Sequence, residues 1–289
     1  MGFRAAAGRL RSIGDAVIIR HTLFSLPFAL SAVLLETGGR PPLGKLAWIL
    51  LAAASARNAA NAFNRIADRE IDAANPRTAG RHLPSGRLSA RSLAVFAAAM
   101  TALLVLSAAM LNLLCVALLP VAAILVFGYS YSKRFTWLCH YWLGVACSAA
   151  TMGAFLGIAG RFEPRFFVLA GAVALWVAGF DILYAMQDIE IDRSQGLRSV
   201  PARFGPLLAR LAAAASHAIA VALLAAAVLF WPLGPAWLAG VAATAALLAA
   251  EHLVALGGTE RHVRIAAYGI NEIVPLVVLA ALAIDLYLI

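Results

Sequence analysis

The sequence predicts an all-α membrane protein, a bundle of nine transmembrane helices that forms a single domain over residues 1–289. Of its residues, 63% are hydrophobic and only 13% are charged, and the mean hydropathy is +0.87, which is too apolar for a soluble globular protein. Apolar runs of about 20 residues, the length that crosses a bilayer as a helix, recur along the chain. The predicted spans are roughly 21–38, 43–63, 91–110, 113–131, 141–160, 166–186, 207–230, 235–256 and 267–288.

The basic residues predict how the chain is oriented. The net charge is +9, but the lysines and arginines stand in short loops and not in patches interleaved with aromatic residues, which argues against nucleic-acid binding. Only Arg40, Lys45, Arg161 and Arg165 fall on one side of the predicted bundle, and most others fall on the opposite side. Because basic loops stay in the cytoplasm, we expect that opposite side to be the cytoplasmic face of a bacterial plasma membrane.

The segment Asn64 to Gly86, NRIADREIDAANPRTAGRHLPSG, carries the first candidate site. Asn64, Asp68 and Asp72 follow one another at intervals of four, so a helix continuing out of the second span places them on one face. Oxygen ligands with room for water suit Mg²⁺ better than zinc or copper. Taken alone, the segment is as typical of a solvated helix end with charge pairs.

A second acidic row ends the sixth span, in DILYAMQDIEID. Asp188 and Asp192 lie 120 positions after Asp68 and Asp72, and the same offset joins Tyr184 to the first residue of the earlier row. The chain therefore looks like two related halves with one acidic row each. Two rows that face each other across a cavity can hold Mg²⁺ ions that bridge to a diphosphate, which either row alone would do poorly.

Ionisable residues inside predicted spans are further candidates, because a charge within a membrane faces a cavity or a partner. Arg57 lies two helical turns before Asn64 on the same face, and hydrogen bonding between helices is the alternative interpretation. Asp181 lies in the sixth span, and Tyr184 stands between it and the second acidic row. In each half, polar residues thus extend from the acidic row toward the interior of the bundle.

The fourth span ends in GYSYSKR, which places Tyr129 and Lys133 one turn apart, with Arg134 next. On its own this pattern indicates an interfacial aromatic residue with cations that reach toward water. Beside two acidic rows on the same side of the membrane, Lys133 and Arg134 are suitable hydrogen-bond donors for a diphosphate.

The other polar residues of the spans receive no site role. The histidines, His140 among them, show no spacing typical of metal ligands and are interpreted as structural or interfacial. Glu251 and His252 in the eighth span are not assigned. Asn271 and Glu272 open the last span, where they either line a cavity or cap the helix.

Four motifs together resemble the UbiA superfamily of intramembrane aromatic prenyltransferases. They are NxxxDxxxD from Asn64, RTxxRxLPSG from Arg77, YxxxK from Tyr129 and YxxxDxxxDxxxGxxS from Tyr184. The resemblance runs from about His21 to the last span. It implies nine transmembrane helices around a central cavity open to the lipid, Mg²⁺ as cofactor, and a polyprenyl diphosphate as donor.

The resemblance also implies roles for individual residues. The metal ligands would be Asn64, Asp68, Asp72, Asp188 and Asp192. The diphosphate would be bound by Lys133, Arg77 and Arg81. Nearer the reacting groups would be Arg57, Tyr129, Asp181 and Tyr184. The family often has a further Asp where this sequence has Arg65, so the first row is one carboxylate shorter.

The expected reaction transfers a polyprenyl group from its diphosphate to an aromatic acid in quinone biosynthesis. Cations neutralise the departing diphosphate, and the aromatic ring attacks an allylic carbocation that the bilayer keeps from water. The two tyrosines near the rows offer π-faces to that cation. An ion pair between Arg57 and the acid favours 4-hydroxybenzoate, with a dihydroxynaphthoate of menaquinone synthesis as the alternative. A transporter is the rival class, but mid-span Pro120 is matched in the other half only by Gly240.

Overall fold

The computed structural model describes residues 13–14, 22–257, 262 and 265–288, and its regular elements are all helical. The helices are, in chain order, α1 Thr22–Thr37, α2 Leu43–Ala67, α3 Arg69–Ala74, α4 Ala90–Leu111, α5 Leu113–Ala117, α6 Leu119–Ser132, α7 Cys139–Ala159, α8 Phe166–Ala185, α9 Ile189–Ser194, α10 Val200–Ala226, α11 Pro235–Ala255 and α12 Asn271–Tyr287. Short 3₁₀ turns follow α8 and α10, and a π-helical segment, Ile265–Ile270, leads into α12. Six of the arginines on the predicted cytoplasmic side lie outside the described residues: Arg4, Arg9, Arg11, Arg20, Arg261 and Arg264.

Within the described chain, five helical segments have the length and apolar composition to cross a membrane. They are Ala90–Leu111, Cys139–Ala159, Phe166–Ser194, Val200–Leu229 and Pro235–Ala255, and two shorter apolar helices are Leu26–Thr37 and Leu119–Ser132. The all-helical fold is confirmed, while the number of nine spans stays a prediction. The long helix α2 carries three cations, of which Arg57 and Arg65 line a cavity and Lys45 donates to the backbone carbonyl oxygen of Ile158.

The predicted fourth span is divided into α5 and α6 at Leu118. Pro120 is the reason, since its nitrogen has no hydrogen to donate to the carbonyl group one turn earlier. Asn112 caps the start of α5 by accepting a hydrogen bond from the backbone nitrogen of Cys115 at 3.0 Å.

Close packing of the helices depends on small residues where they cross. Helix α8 packs between α7 and α10, and α2 packs along α4. A Cβ atom on Gly144 of α7 would lie 2.1 Å from the carbonyl oxygen of Ala174 in α8, so only glycine allows this approach. In the core nearby, the rings of Phe155 and Phe166 stack with centroids 4.5 Å apart. These contacts fix the helices that carry the candidate site.

Both acidic rows contain a break in a helix at their first aspartate. Asp68 separates α2 from α3 with φ −96° and ψ 9°, and Asp188 precedes α9 with φ −105° and ψ 10°. The prediction of an uninterrupted helix through the first row is therefore wrong at Asp68, which adopts the sparsely populated bridge region. The one-turn spacing survives the break, because Asp72 N still donates to Asp68 O at 2.7 Å. Two matching breaks 120 residues apart agree with the two related halves.

Candidate active site

A cavity of about 810 Å³ gathers the residues that the sequence singles out. Its walls come mainly from α2, α6, α7 and α8, together with the segment after α3. Among its lining residues are Arg57, Asn64, Asp68, Asp72, Arg77, Arg81, Tyr129, Lys133, Asp181, Tyr184, Asp188 and Asp192. Polar residues from both halves of the chain thus share one space, as the two matched rows predict.

Asp68, the first carboxylate, is buried and surrounded by donors. Asn64 Nδ2 donates to its Oδ2 at 2.9 Å, and Lys133 Nζ lies 3.7 Å from the same oxygen. Arg134 Nη2 lies 3.5 Å from Oδ1, although Arg134 is not among the cavity-lining residues and its guanidinium stacks over the Tyr131 ring. Arg134 therefore holds the row from outside the cavity, whereas Lys133 faces into it.

Asp72 is held by two arginines. Arg81 Nη1 donates to Oδ1 at 2.7 Å, and Arg65 Nη1 lies 3.6 Å from Oδ2. Oδ2 is buried and accepts no hydrogen bond from the described residues. Arg65 thus supplies a cation to the row at the position where the family often has another carboxylate, and it lies near the Asp72 oxygen that accepts no hydrogen bond.

Asp188 is bound by the segment that follows the first row. Arg77 Nε donates to Asp188 Oδ1 at 3.2 Å, and Nη2 donates to Oδ2. Asn75 Nδ2 also donates to Oδ1 at 3.2 Å, and Arg77 lies over the ring of Tyr184 with its Cζ 5.1 Å from the centroid. Burial alone would lower the pKa of Arg77, but the hydrogen bonds and negative charge of Asp188 raise it above its ordinary value.

Asp192, the last carboxylate of the second row, is buried and accepts a hydrogen bond from Ser199 Oγ at 2.8 Å. Ser199 also caps α10, since its Oγ accepts from the backbone nitrogen of Ala202 at 3.2 Å. Sequence analysis gave Ser199 no role of its own, although it is the last position of the fourth motif. Its place in that motif, seven residues after Asp192, is the feature of the sequence that marks Ser199.

His140 was not assigned to the site from the sequence, but it lines the cavity and contacts Asp181. Its Nδ1 lies 2.6 Å from Asp181 Oδ2, and the backbone nitrogen of Val200 donates to its Nε2 at 3.3 Å. Since Nε2 accepts, the proton of a neutral imidazole is on Nδ1, which donates to the carboxylate. The two residues are 41 positions apart on different helices, so no local spacing predicts their contact.

Arg57 is a cation in the cavity that has no carboxylate partner among the described residues. Its Nη1 donates to Cys147 Sγ at 3.0 Å, and its buried Nε makes no hydrogen bond to the described residues. No Asp or Glu in the described part of the chain forms an ion pair with it. A thiol compensates a buried guanidinium poorly, so this site favours an anionic ligand.

The two acidic rows offer the donor set that Mg²⁺ prefers, carboxylate and amide oxygens around a cavity with room for water. In the arrangement seen, however, arginine and lysine side chains pair with the carboxylates, and no three Asp, Glu, His or Cys side chains of the described residues converge on one point. Metal binding at either row therefore requires that a cation such as Arg77 or Arg81 exchange its carboxylate for another anion.

Comparison with known proteins points to one family. The family model described as the UbiA prenyltransferase family matches residues 25–273. The chain is 34% identical to the 4-hydroxybenzoate octaprenyltransferase of Vibrio cholerae over 198 residues, which cover 68% of this chain and 66% of that protein. It is 32% identical to the protein of the same description from Neisseria meningitidis over 174 residues, which cover 60% of this chain and 59% of that protein.

Solved structures with the same fold include an apo UbiA homolog from Aeropyrum pernix K1. That protein is 36% identical, with a TM-score of 0.84, and the match covers 92% of this chain and 98% of that one. A UbiA homolog from Archaeoglobus fulgidus bound to GPP and Mg²⁺ has a TM-score of 0.70 at 20% identity, covering 94% of this chain and 99% of that one.

Proposed function

Because the chain belongs to the UbiA prenyltransferase family, we propose that it transfers a polyprenyl group from a polyprenyl diphosphate to an aromatic acid, with 4-hydroxybenzoate as the acceptor. The observation that carries the acceptor is Arg57, a cation that lines the cavity and has no carboxylate partner in the part of the chain that the structure describes. The description of the Vibrio cholerae relative as a 4-hydroxybenzoate octaprenyltransferase supports the same acceptor.

The donor binds at the charged end of the cavity. Arg77, Arg81 and Lys133 pair with acidic residues there, and each can exchange its carboxylate for a diphosphate oxygen. The carboxylates released by this exchange, with the amide oxygen of Asn64, would hold Mg²⁺ when the ion is bound. The proposed metal ligands are Asn64, Asp68, Asp72, Asp188 and Asp192. Bound Mg²⁺ would supply positive charge that stabilises the departing diphosphate.

Residues deeper in the cavity act on the acceptor. Arg57 holds the carboxylate of the aromatic acid by a charge-assisted pair, which orients the ring. As the ring carbon bonds to the prenyl carbon, Asp181 accepts the proton that this ring carbon loses, which restores the aromatic ring, and the Nδ1–H of His140 holds that carboxylate in position. Tyr129 and Tyr184 line the same cavity and present π-faces to the allylic carbocation.

The proposed location is the bacterial plasma membrane, with the site on its cytoplasmic side. The acidic rows lie beside the basic segments that follow α3 and α9, and basic segments favour the cytoplasmic face. A cavity between membrane-spanning helices would admit a long isoprenoid tail from the lipid and keep the carbocation from water.

The test is to incubate membranes containing the protein with Mg²⁺, a polyprenyl diphosphate and a panel of aromatic acids, and to identify products by mass. We expect a prenylated 4-hydroxybenzoate, and none from membranes containing Asp188→Asn. A product formed only from a dihydroxynaphthoate would change the acceptor and keep the reaction. No prenylated product from any acid would contradict the proposal.

A further inference from the structure

A chain of buried hydrogen bonds joins three helices behind the cavity. Trp176 Nε1 in α8 donates to Asn271 Oδ1 in α12 at 2.7 Å, and Asn271 Nδ2 donates to Glu251 Oε1 in α11 at 2.8 Å. Glu251 and Asn271 are wholly buried, and neither lines the cavity. The proposed reaction gives them no task, and a carboxyl group is costly at such a position.

The hydrogen bonds of Asn271 determine which group it presents to Trp176. Its Nδ2 donates both to Glu251 Oε1 and to the backbone carbonyl oxygen of Ala266, at 3.1 Å. The amide oxygen must therefore point the other way, where it can only accept a hydrogen bond. Glu251 thus fixes the amide, and the amide fixes the indole ring of Trp176 through its nitrogen.

The indole ring that this network orients belongs to the cavity wall. Trp176 lines the cavity and contacts two further lining residues, with ring centroids 5.2 Å from Phe28 and 5.3 Å from Phe180. Its polar atom is directed to Asn271, so that its apolar ring faces its aromatic neighbours. This part of the cavity offers an aromatic surface suited to an apolar chain.

Helix α8 and the 3₁₀ turn after it set the distance between Trp176 and Asp188, which lies at the charged end of the cavity. Trp176, Phe180, Tyr184 and Asp188 follow at intervals of four, and all four line the cavity. Trp176 is twelve residues before Asp188, roughly 18 Å at a helical rise of about 1.5 Å per residue. One isoprenoid unit extends about 5 Å from its carbon–carbon bond lengths, so a chain that starts at the diphosphate reaches Trp176 with about its fourth unit.

We propose that Trp176 contacts the isoprenoid units remote from the diphosphate and sets the preference for long donors, while Asn271 and Glu251 are positioning residues that hold its ring. This inference rests on the proposed function, since it assumes a prenyl diphosphate anchored at the acidic rows. A one-unit donor ends near Tyr184 and does not reach Trp176. A loss of the Trp176 contact should therefore weaken binding of long donors only, whereas a loss of a diphosphate contact should weaken binding of donors of every length.

The experiment measures dissociation constants for dimethylallyl diphosphate and geranylgeranyl diphosphate with Mg²⁺, using the full chain in lipid nanodiscs. In Trp176→Phe and in Glu251→Leu, we expect the Kd of the four-unit donor to rise about five- to tenfold through lost apolar and hydrogen-bond contacts. The Kd of the one-unit donor should change less than about twofold. Glu251→Gln keeps an oxygen that accepts from Asn271, so its Kd values should stay near those of the unchanged protein.

Trp237→Phe is the matched control. Trp237 is also buried, and its Nε1 donates to the backbone carbonyl oxygen of Leu224 at 2.9 Å, but it does not line the cavity. We expect this variant to leave both constants unchanged. A parallel unfolding measurement shows whether Glu251→Leu folds. If that variant does not fold, the Kd values of Trp176→Phe test the proposal.

Equal weakening of both donors, or the same shift in Trp237→Phe, would overturn the assignment of Trp176 to the remote units. An unchanged four-unit Kd in Trp176→Phe would overturn it as well. If the unchanged protein binds neither diphosphate, the proposed function itself fails, and that outcome is distinct from a loss of length preference.

Discussion

Arg77 and Asp188 lie 111 residues apart and form a two-point ion pair, with Arg77 Nε donating to Oδ1 at 3.2 Å and Nη2 donating to Oδ2. The guanidinium comes from the segment after the first acidic row, and the carboxylate belongs to the second row. A residue expected to bind the diphosphate therefore occupies a carboxylate expected to bind the metal. A diphosphate that binds Arg77 would free Asp188 for the metal ion, and a metal ion that binds Asp188 would free Arg77 for the diphosphate. We therefore expect the two ligands to bind together.

The first prediction concerns Arg77. Arg77→Gln should raise the KM for the prenyl diphosphate by about tenfold, the loss of about 1.4 kcal/mol typical of a charge-assisted hydrogen bond. The KM for the aromatic acid should stay within about twofold. Arg69→Gln is the control, since the ion pair of Arg69 within the described part of the chain is with its exposed neighbour Glu70. A rise in the acid KM alone would contradict the assignment of Arg77 to the donor.

The second prediction is that Arg57 binds the acceptor. Arg57→Ala should raise the KM for the aromatic acid by at least about tenfold and leave the diphosphate KM nearly unchanged. Arg57→Lys should rescue only in part, because an ammonium group cannot form the two-point pair. Arg40→Ala, a change at an exposed arginine that does not line the cavity, serves as control. If instead the diphosphate KM rises and the acid KM does not, Arg57 belongs to the donor site.

The third prediction separates His140 from a purely structural residue. His140→Ala removes the donor to Asp181 and should lower kcat about 10- to 100-fold, as expected for a hydrogen bond to a charged group. His140→Asn carries an N–H at a similar position and should recover much of that loss. The diphosphate KM should hardly change in either variant. Equal loss in both variants, together with a lower unfolding temperature, would show that His140 supports the fold and not the base.

The fourth prediction concerns orientation. A cysteine at Gly80 should react with an impermeant thiol reagent only from the cytoplasmic side, in a background without Cys115, Cys139 and Cys147. Gly80 is exposed and has open space around the position of a Cβ atom. Arg161→Cys, at an exposed position in the segment between α7 and α8, should react only from outside. Labelling of Gly80→Cys in intact cells would overturn the orientation.

The acidic rows could be predicted because their evidence is local and repeated. Asn64 and Asp68 are one helical turn apart, and their hydrogen bond at 2.9 Å follows from that spacing. The same pattern 120 residues later indicated a shared cavity. The break at Asp68 could not be predicted, because a single residue in the bridge region leaves the spacing of the oxygens almost unchanged.

Contacts between distant positions could not be read from the sequence. His140 and Asp181 meet only because α7 and α8 pack closely at Gly144, and no periodic pattern encodes that crossing. The bond from Trp176 to Asn271 spans 95 residues and depends on the position of the last helix. Sequence reasoning could mark Asn271 as polar within an apolar run, but its partner is decided by tertiary packing.

In the proposed function, the two acidic rows bind one magnesium diphosphate together. The direct measurement is the binding of a polyprenyl diphosphate to the purified protein with Mg²⁺ and with EDTA, for the unchanged chain, Asp68→Asn, Asp188→Asn and the exposed control Glu70→Gln. We predict tight binding only with Mg²⁺, at least about tenfold weaker in Asp68→Asn and in Asp188→Asn alike, and unchanged in Glu70→Gln. Binding that survives EDTA, or that survives the loss of either aspartate, would contradict the claim.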